Sequence, residues 1–530
     1  MKFKINMSEN AKLLVDSMNL RQLINQVLCP LNTSVDEKCM QEYGAMFFAS
    51  APYESLQQSI SSFRGKCSIP PLIVSDFENG AGSMIVGATN FPSMMGCGQT
   101  NSEELLYEMG RVAALEGATL GFNWAFGPCV DISRNIDSPV VNFRSAGNDA
   151  GHVIKMTSTY IKGLQENGMM ATAKHFPGDG FGRYDQHLTT PENPLDIGEW
   201  WETSGKVFKE LIDMGVMAVM PGHISLPCYD EKDPVLGVYP PATLSSRLMT
   251  GLLKEELGFD GLIVSDAVCM GGFCGFMRYY EACARFLESG GDIILFPKVD
   301  EAFYMELEKL VRDGILREET LRQRAWRIIS LKEQIGLLDS KNQKAISVDK
   351  INCKEFDEVS RKMVECSISL VRDRNSIIPF KIERSTRILH AVIHNDYDTY
   401  KNVFDAFTLE MKKYSDNVTE KVDYGSDNMF LDIYTDKFDI VICSIGQHID
   451  WGINVARLHG TIARNMMNGW MKLGCPTIFV SHFDPFIHNE YDASVDTLIN
   501  TYGNTKYTAE YLMRAITGQH TVSRRLISHS

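Results

Sequence analysis

The sequence predicts an α/β protein: a (β/α)8 barrel of the TIM type, followed by a smaller α/β domain. Short apolar runs rich in β-forming residues alternate with longer amphipathic stretches, and this alternation is typical of parallel βα units. About seven such runs fall in the first 300 or so residues, which suits a closed barrel better than an open sheet. Polar side chains follow several of the runs, as they do at the mouth of a barrel.

The candidate barrel strands are short and bounded by polar residues or glycine. They are GAMFFA (44–49), PLIVSD (71–76), NWAFGPCVD (123–131), MMATAKH (169–175), VMAVMPGH (216–223), GLIVSD (261–266) and DIILF (292–296). Between them, residues 103–120 and 202–215 have the apolar spacing of amphipathic helices. Strands and helices of this length in alternation support the barrel prediction.

A second pattern begins after a polar tract. Residues 318–336 are the last helical segment of the barrel part, and residues 339–354 are interpreted as a linker. The predicted domains are therefore 1–338, a catalytic barrel, and 355–530, a smaller α/β domain. Neither a G-x-G-x-x-G motif nor a P-loop is present, so nucleotide binding has no support. The candidate strands of the second domain are 387–394, 439–446, 477–483 and 495–502.

Composition limits the partners and the compartment. The 530 residues carry a net charge of −15 and no Lys/Arg-rich block, which argues against nucleic acid or an anionic membrane as a partner. No apolar run approaches the roughly 18 residues of a membrane span, and the N-terminus lacks the apolar core of a signal peptide. The 13 cysteines include no C-x-x-C pair, so neither a disulfide framework nor a zinc ribbon is indicated. We expect a cytoplasmic protein, and its oligomeric state stays open.

Polar residues stand where five of the apolar runs end. A single polar residue at a strand end is more often a helix N-cap than a catalyst. In a βα barrel, however, the carboxyl ends of all strands meet at one mouth, where active sites lie. Five such ends with carboxylates, imidazoles and a lysine therefore predict a site. The residues are Asp76, Asp131, Lys174 with His175, His223 and Asp266.

The segment KHFPGDGFGRYDQH, residues 174–187, is the most informative stretch of the chain. Its proline and glycines predict a mobile loop. Because imidazole titrates near neutrality, the closing Asp185-x-His187 pair could supply an acid/base group that the loop carries into a site. The alternative interpretation is a solvated loop whose charges serve solubility.

Three blocks resemble glycoside hydrolase family 3, in its bacterial β-N-acetylglucosaminidase (β-N-acetylhexosaminidase) branch. The glycine-rich segment is similar to that branch's Lys-His-Phe-Pro-Gly loop, which runs to Asp-Ser-His. GLIVSDAVCM (261–270) looks like the family's nucleophile strand, and VSDFENGAG (74–82) like its sugar-binding turn. NWAFGPCVDI (123–132) and NFRSAG (142–147) match in order and spacing. The resemblance covers most of residues 10–340, and the second domain resembles the family's αβα sandwich.

The resemblance implies roles for eight residues and no metal or organic cofactor. Asp266 would be the nucleophile and His187 the acid/base, with Asp185 orienting the imidazole. Four residues would bind the terminal sugar, while His223 would line the site or cap its strand. An ion pair between Asp76 and Lys174 that only holds the barrel mouth together is the alternative for those two. The four sugar-binding residues are Asp76, Arg144, Lys174 and His175.

The implied activity is retaining hydrolysis of a terminal, non-reducing β-linked N-acetylglucosamine. The carbohydrate substrate would be a cell-wall fragment, as in peptidoglycan recycling, or a chito-oligosaccharide. A phosphorylase and a β-glucosidase of the same family are alternatives, and a non-catalytic sugar-binding protein is the alternative from another class. In place of the Gly-His-Gly that is usual in the loop, this chain has Asp179 between two glycines.

Overall fold

The computed structural model describes residues 2–35, 42–339, 350–447, 449, 451–453 and 457–524. The chain forms two compact units that interleave in sequence. The first comprises residues 1–90, 102–135 and 149–357, and the second comprises residues 91–101, 136–148 and 358–530. Most of the predicted linker 339–354 lies outside the described residues. The functional domain boundaries inferred from the sequence stay a prediction.

Among the described residues, the first unit contains ten short strands, each two to five residues long. They are β1 (Leu28–Cys29), β2 (Ala45–Phe47), β3 (Ala51–Pro52), β4 (Leu72–Ser75), β5 (Ile85–Val86), β6 (Trp124–Ala125), β7 (Thr172–Phe176), β8 (Ala218–Pro221), β9 (Leu262–Ile263) and β10 (Ile294–Leu295).

Eight of these strands neighbour one another in a parallel series. The ladders run β2-β4-β6, β7-β8-β9 and β10-β1. Single parallel bridges link the ladders: Leu31 to Phe47, Trp124 to Met170 and Val264 to Ile293. The strands therefore pair in the order β1-β2-β4-β6-β7-β8-β9-β10, and β10 pairs with β1 again. Because all these pairs are parallel, the carboxyl ends of the eight strands lie on one side. β3 and β5 pair separately.

Helices follow most of these strands. The helix Ser204–Met214, for example, buries the apolar residues Val207, Phe208, Leu211 and Ile212. The helices up to the end of the first unit are α1 (Glu9–Asp16), α2 (Leu20–Gln26), α3 (Tyr53–Arg64), α4 (Met94–Gln99, in the second unit), α5 (Glu103–Leu120), α6 (Ala150–Glu166), α7 (Ile197–Glu202), α8 (Ser204–Met214), a π-helix (Arg247–Glu256), α9 (Gly271–Cys274), α10 (Tyr279–Glu288), α11 (Glu301–Arg312) and α12 (Glu318–Gln334).

The second unit is built on a seven-stranded sheet. The strands are β11 (Ser369–Asp373), β12 (Arg387–His394), β13 (Asn417–Val422), β14 (Ile440–Gly446), β15 (Thr477–Ser481), β16 (Thr497–Asn500) and β17 (Ser523–Arg524). Their order in the sheet is β13-β12-β14-β15-β16-β11-β17, and the five neighbouring strands from β13 to β16 are parallel. β11 runs antiparallel to β16.

Side chains of this sheet alternate between two apolar clusters, one on each face. Leu389 and Val441 belong to one cluster, whereas Ile388 and Ile440 belong to the other. Since successive residues of a strand point to opposite faces, this alternation means that both faces are covered. The covering helices are α13 (Lys354–Ser367), α14 (Tyr397–Met411), α15 (Ser426–Tyr434), α16 (Gly460–Arg464), α17 (Ile487–Glu490) and α18 (Thr508–Ile516).

The predicted α/β class is confirmed. Every strand named from the sequence exists, but several are shorter than expected: β6 covers two residues of the predicted 123–131. Asp131 therefore follows a loop rather than a strand end, and Lys174 and His175 lie inside β7 rather than after it. No helix among the described residues is long and apolar enough to cross a membrane.

Candidate active site

Asp266 follows β9 and lies in a cluster of histidines. Its backbone N–H donates to Pro221 O at 3.2 Å, and the N–H of Ala267 donates to its Oδ1 at 2.8 Å. Burial acts to raise the pKa of this carboxyl, but the neighbouring imidazoles, His175 most of all, outweigh burial and lower it below its usual range. Asp266 is therefore ionised at neutral pH, as a carboxylate nucleophile must be.

His175 connects Asp266 to a second buried carboxylate. Its Nδ1 lies 2.7 Å from Asp131 Oδ2, and its Nε2 lies 3.8 Å from Asp266 Oδ2. An ionised carboxylate can only accept, so Nδ1 carries a hydrogen and Nε2 faces the nucleophile. Burial acts to raise the Asp131 pKa, yet the charge and hydrogen bonds of His175 and the N–H of Asp179 lower it.

Four donors hold the Asp131 carboxylate. Besides the imidazole, they are the backbone N–H groups of His175 at 3.1 Å and Asp179 at 2.8 Å, and the thiol of Cys129 at 3.1 Å. The carboxylate thus fixes both the strand residue His175 and the start of the glycine-rich loop. Asp131 positions the imidazole, a role that the sequence left undecided.

Lys174 is a nearly buried cation between two carboxylates. Its Nζ lies 3.0 Å from Asp76 Oδ1 and 2.7 Å from Glu78 Oε1, and its side chain is 4% exposed. The Asp76 side chain is 40% exposed. The ion pair between Asp76 and Lys174 is therefore present, while Asp76 keeps surface that a ligand can reach.

His187 and Asp185 form a dyad on the glycine-rich loop. The Asp185 carboxylate is buried and accepts from His187 Nδ1 at 2.7 Å and from the His187 backbone N–H at 2.8 Å. Because Nδ1 donates to the carboxylate, Asp185 orients the imidazole ring. The imidazole is partly exposed and lies near enough to Asp266 for its charge to lower the pKa of that carboxyl.

His223 is fully buried behind the nucleophile. Its Nε2 lies 3.0 Å from Ala267 O, a group that only accepts, so Nε2 carries the hydrogen and Nδ1 accepts from the Thr243 hydroxyl at 2.9 Å. Burial lowers its pKa below the usual range of an imidazole. Both nitrogens thus bind protein groups, an arrangement that supports the segment after Asp266; its predicted place at the sugar stays a prediction.

Arg144 belongs to the second unit. It ends a short 3-10 helix, Asn142–Arg144, and its guanidinium donates to Val140 O at 3.1 Å. The other seven predicted residues lie in the first unit. The sugar contact predicted for Arg144 stays a prediction.

One group of potential metal ligands occurs among the described residues: Cys129, Asp131 and His175, whose ligand atoms lie within 4.8 Å of one another. Hydrogen bonds within the group and from the backbone of Asp179 already engage these atoms. The set works as a hydrogen-bond network that orients His175.

Two residues of the site were missed by the sequence analysis. Glu78, the second carboxylate on Lys174, stands two residues after Asp76 in the sugar-binding turn, and that spacing was the available signal. Gln186 accepts from the His223 backbone N–H at 2.7 Å through its side-chain oxygen. No feature of the sequence connects residue 186 with residue 223; only the fold brings them together.

The chain belongs to glycosyl hydrolase family 3: the model described as "Glycosyl hydrolase family 3 N terminal domain" matches residues 50–331. A curated relative from Cellulomonas fimi, named beta-N-acetylglucosaminidase/beta-glucosidase, is 30% identical over 480 residues. That match covers 87% of this chain and 84% of the relative.

Solved structures have the same fold. A family 3 beta-N-acetylglucosaminidase from Paenibacillus sp. str. FPU-7 gives a TM-score of 0.81 at 25% identity, covering 96% of this chain and 98% of that one. The beta-glucoside phosphorylase BglX, bound to 2FGlc, gives 0.90 at 24% identity, covering 100% and 98%. At that identity the second match supports the fold alone.

Proposed function

We propose that this protein is a retaining β-N-acetylhexosaminidase that removes terminal β-linked N-acetylglucosamine. The observation that carries the proposal is the Asp185–His187 dyad near the ionised Asp266. A retaining glycosidase needs a carboxylate nucleophile and a proton-transfer group on the leaving-oxygen side. The names of the curated relatives, beta-hexosaminidase and beta-N-acetylglucosaminidase, agree with this substrate.

In the first step the Asp266 carboxylate attacks the anomeric carbon and forms a glycosyl ester. The bond to the leaving oxygen breaks, and that oxygen takes the proton from protonated His187 Nε2. The buried Asp185 carboxylate stabilises the imidazolium and orients the ring.

In the second step neutral His187 removes a proton from water, and the water oxygen attacks the anomeric carbon. The ester bond to Asp266 breaks, and the sugar leaves with its original configuration. Before the sugar is attached, His175 faces the Asp266 carboxylate, its Nε2 being 3.8 Å from Oδ2.

Sugar recognition by the first unit would come from Asp76, Lys174 and His175, and the sugar contact of Arg144, in the second unit, is a separate prediction. The pairing of Lys174 with two carboxylates fixes its Nζ, so a sugar hydroxyl would meet an already oriented donor. We also propose that the closed parallel series of the first unit is a (β/α)8 barrel and that the second unit is an αβα sandwich. The returning strand order and the two covered faces support these assignments.

Turnover of p-nitrophenyl β-N-acetylglucosaminide, followed by proton NMR of the first-formed anomer, tests the proposal. We expect release of β-N-acetylglucosamine. The α-anomer would contradict retention, and absence of turnover with intact sugar binding would favour the non-catalytic alternative.

Phosphorolysis is the second candidate, favoured by one feature: a neutral His187 does not repel phosphate as a carboxylate would. Products formed with and without inorganic phosphate separate the two activities, since a phosphorylase releases a sugar 1-phosphate. A parallel assay on the β-glucoside tests the glucosidase activity in the name of the Cellulomonas fimi relative.

A further inference from the structure

The acid/base histidine lies on a turn, residues 185–190, that contacts the chain just after the nucleophile. The contact is made by two glycines, Gly271 and Gly272, five and six residues beyond Asp266. Gly271 N–H donates to His187 O at 2.7 Å, and Gly272 N–H donates to Gln186 O at 3.1 Å. The hydroxyl of Thr190 donates back to Gly272 O at 2.9 Å.

Both positions require glycine because of this close approach. A Cβ on Gly271 would lie 2.4 Å from Leu188 O, and one on Gly272 would lie 2.7 Å from Thr189 O and 2.8 Å from Gln186 O. These are backbone atoms, which cannot rotate away. Neither glycine has a positive φ, so the requirement comes from space rather than from backbone conformation.

We propose that the glycine pair, Gly271 and Gly272, together with Thr190, positions His187 for proton transfer by holding its turn against the nucleophile segment. Three hydrogen bonds join a turn that carries the acid/base to a segment that begins at the nucleophile. A fourth, from the His223 backbone N–H to the Gln186 side chain, ties the same turn to the strand end at β8. These four hydrogen bonds thereby hold the proton donor at a fixed distance from the attacking carboxylate.

This inference rests on the proposed acid/base role of His187 and predicts a particular kinetic signature. If the turn shifts, protonation of the leaving oxygen suffers while attack by Asp266 does not. The rate of hydrolysis then falls for substrates with poor leaving groups, whereas it is unchanged for activated aryl glycosides, which need little protonation. A residue that only maintained the fold would affect all substrates equally.

The test compares variants across one substrate series, from N,N'-diacetylchitobiose to 2,4-dinitrophenyl β-N-acetylglucosaminide. Thr190→Val removes only the hydroxyl, and we expect about fivefold loss of kcat/KM on chitobiose, the effect of one hydrogen bond, with little change on the dinitrophenyl substrate. Gly272→Ala should give a loss of about 50-fold with the same dependence on leaving group. The matched control is Thr159→Val on α6, whose hydroxyl also donates to a backbone carbonyl, Lys155 O, at 2.8 Å.

His187→Ala, measured in the same series, separates the two proposals. If it shows the leaving-group dependence while Thr190→Val matches Thr159→Val on every substrate, the positioning role is wrong and the acid/base assignment holds. If His187→Ala is uniformly slow, both fail. Should Gly272→Ala not fold, Thr190→Val decides by itself.

Discussion

The replacement Asp131→Asn tests the network behind the nucleophile. It keeps the size of the side chain and can keep one oxygen for the backbone N–H groups of His175 and Asp179. The new NH2 group, however, stands where Oδ2 accepts from His175 Nδ1 at 2.7 Å. Two donors would then face each other, so the imidazole must give up the hydrogen on Nδ1 and carry its hydrogen on Nε2.

Two consequences follow from that change of tautomer. Breaking a buried charged pair should lower the free energy of unfolding by about 3 kcal/mol. The reaction should slow by about 10³-fold, as expected when an orienting carboxylate is lost and the ring holds the wrong tautomer. The Asp266 pKa should also rise, because burial already acts to raise it and the charge of His175 is the strongest influence that lowers it.

The assay is the pH profile of kcat/KM on the dinitrophenyl substrate, together with thermal unfolding. We expect the acid limb of the profile to move to higher pH in Asp131→Asn. Cys129→Ala is the control, since it removes one weak donor to the same oxygen and should cost about 1 kcal/mol without moving the limb. An unchanged rate and acid limb in Asp131→Asn would refute the reasoning.

Three further predictions concern charge and metals. Lys174→Met leaves Asp76 and Glu78 without their shared cation. We therefore expect kcat/KM to fall about 100-fold and the Tm to drop. An unchanged KM would contradict the sugar-binding role of Lys174. Lys332 is fully buried, which lowers its pKa to about 7 from 10.5. Between pH 7 and 10.5 the unfolded chain therefore holds a proton on Lys332 that the folded chain does not, so the free energy of unfolding should rise with pH over this range. Lys332→Met should abolish this rise and increase the Tm at pH 6. EDTA should leave the rate of hydrolysis unchanged. A loss of activity that Zn²⁺ restores would show that Cys129, Asp131 and His175 form a metal site.

Long periodic elements were predictable from the sequence. The helix expected over 103–120 is α5, Glu103–Leu120, and the strand expected over 387–394 is β12, Arg387–His394. In both, the apolar spacing extends over enough residues to decide the period. By contrast, β1 has two residues between α2 and Pro30, too few for any periodicity. Strand β13, NVTEKV, lies at a sheet edge and has mostly polar residues, so it resembles a loop.

The candidate site was predictable where chemistry concentrates in a short segment. Asp185 and His187 are two residues apart, and their pairing follows from local geometry. The contacts of Gly271 with His187 and of Gln186 with His223 join residues far apart in sequence. Such contacts depend on how neighbouring strands place their loops, and a single sequence contains no signal for them. The second carboxylate on Lys174 is an intermediate case, because Glu78 lies within a turn that the sequence did identify.

The most direct test of the central claim is to trap the glycosyl-enzyme intermediate. The protein would be treated with 5-fluoro-N-acetylglucosaminyl fluoride, which keeps the acetamido group and slows breakdown of the ester, and its peptides would be analysed by mass spectrometry. The account predicts one fluoro sugar on the peptide that contains Asp266, and no label in Asp266→Asn. Label on any other carboxylate, or turnover without a covalent intermediate and with inversion at the anomeric carbon, would contradict it.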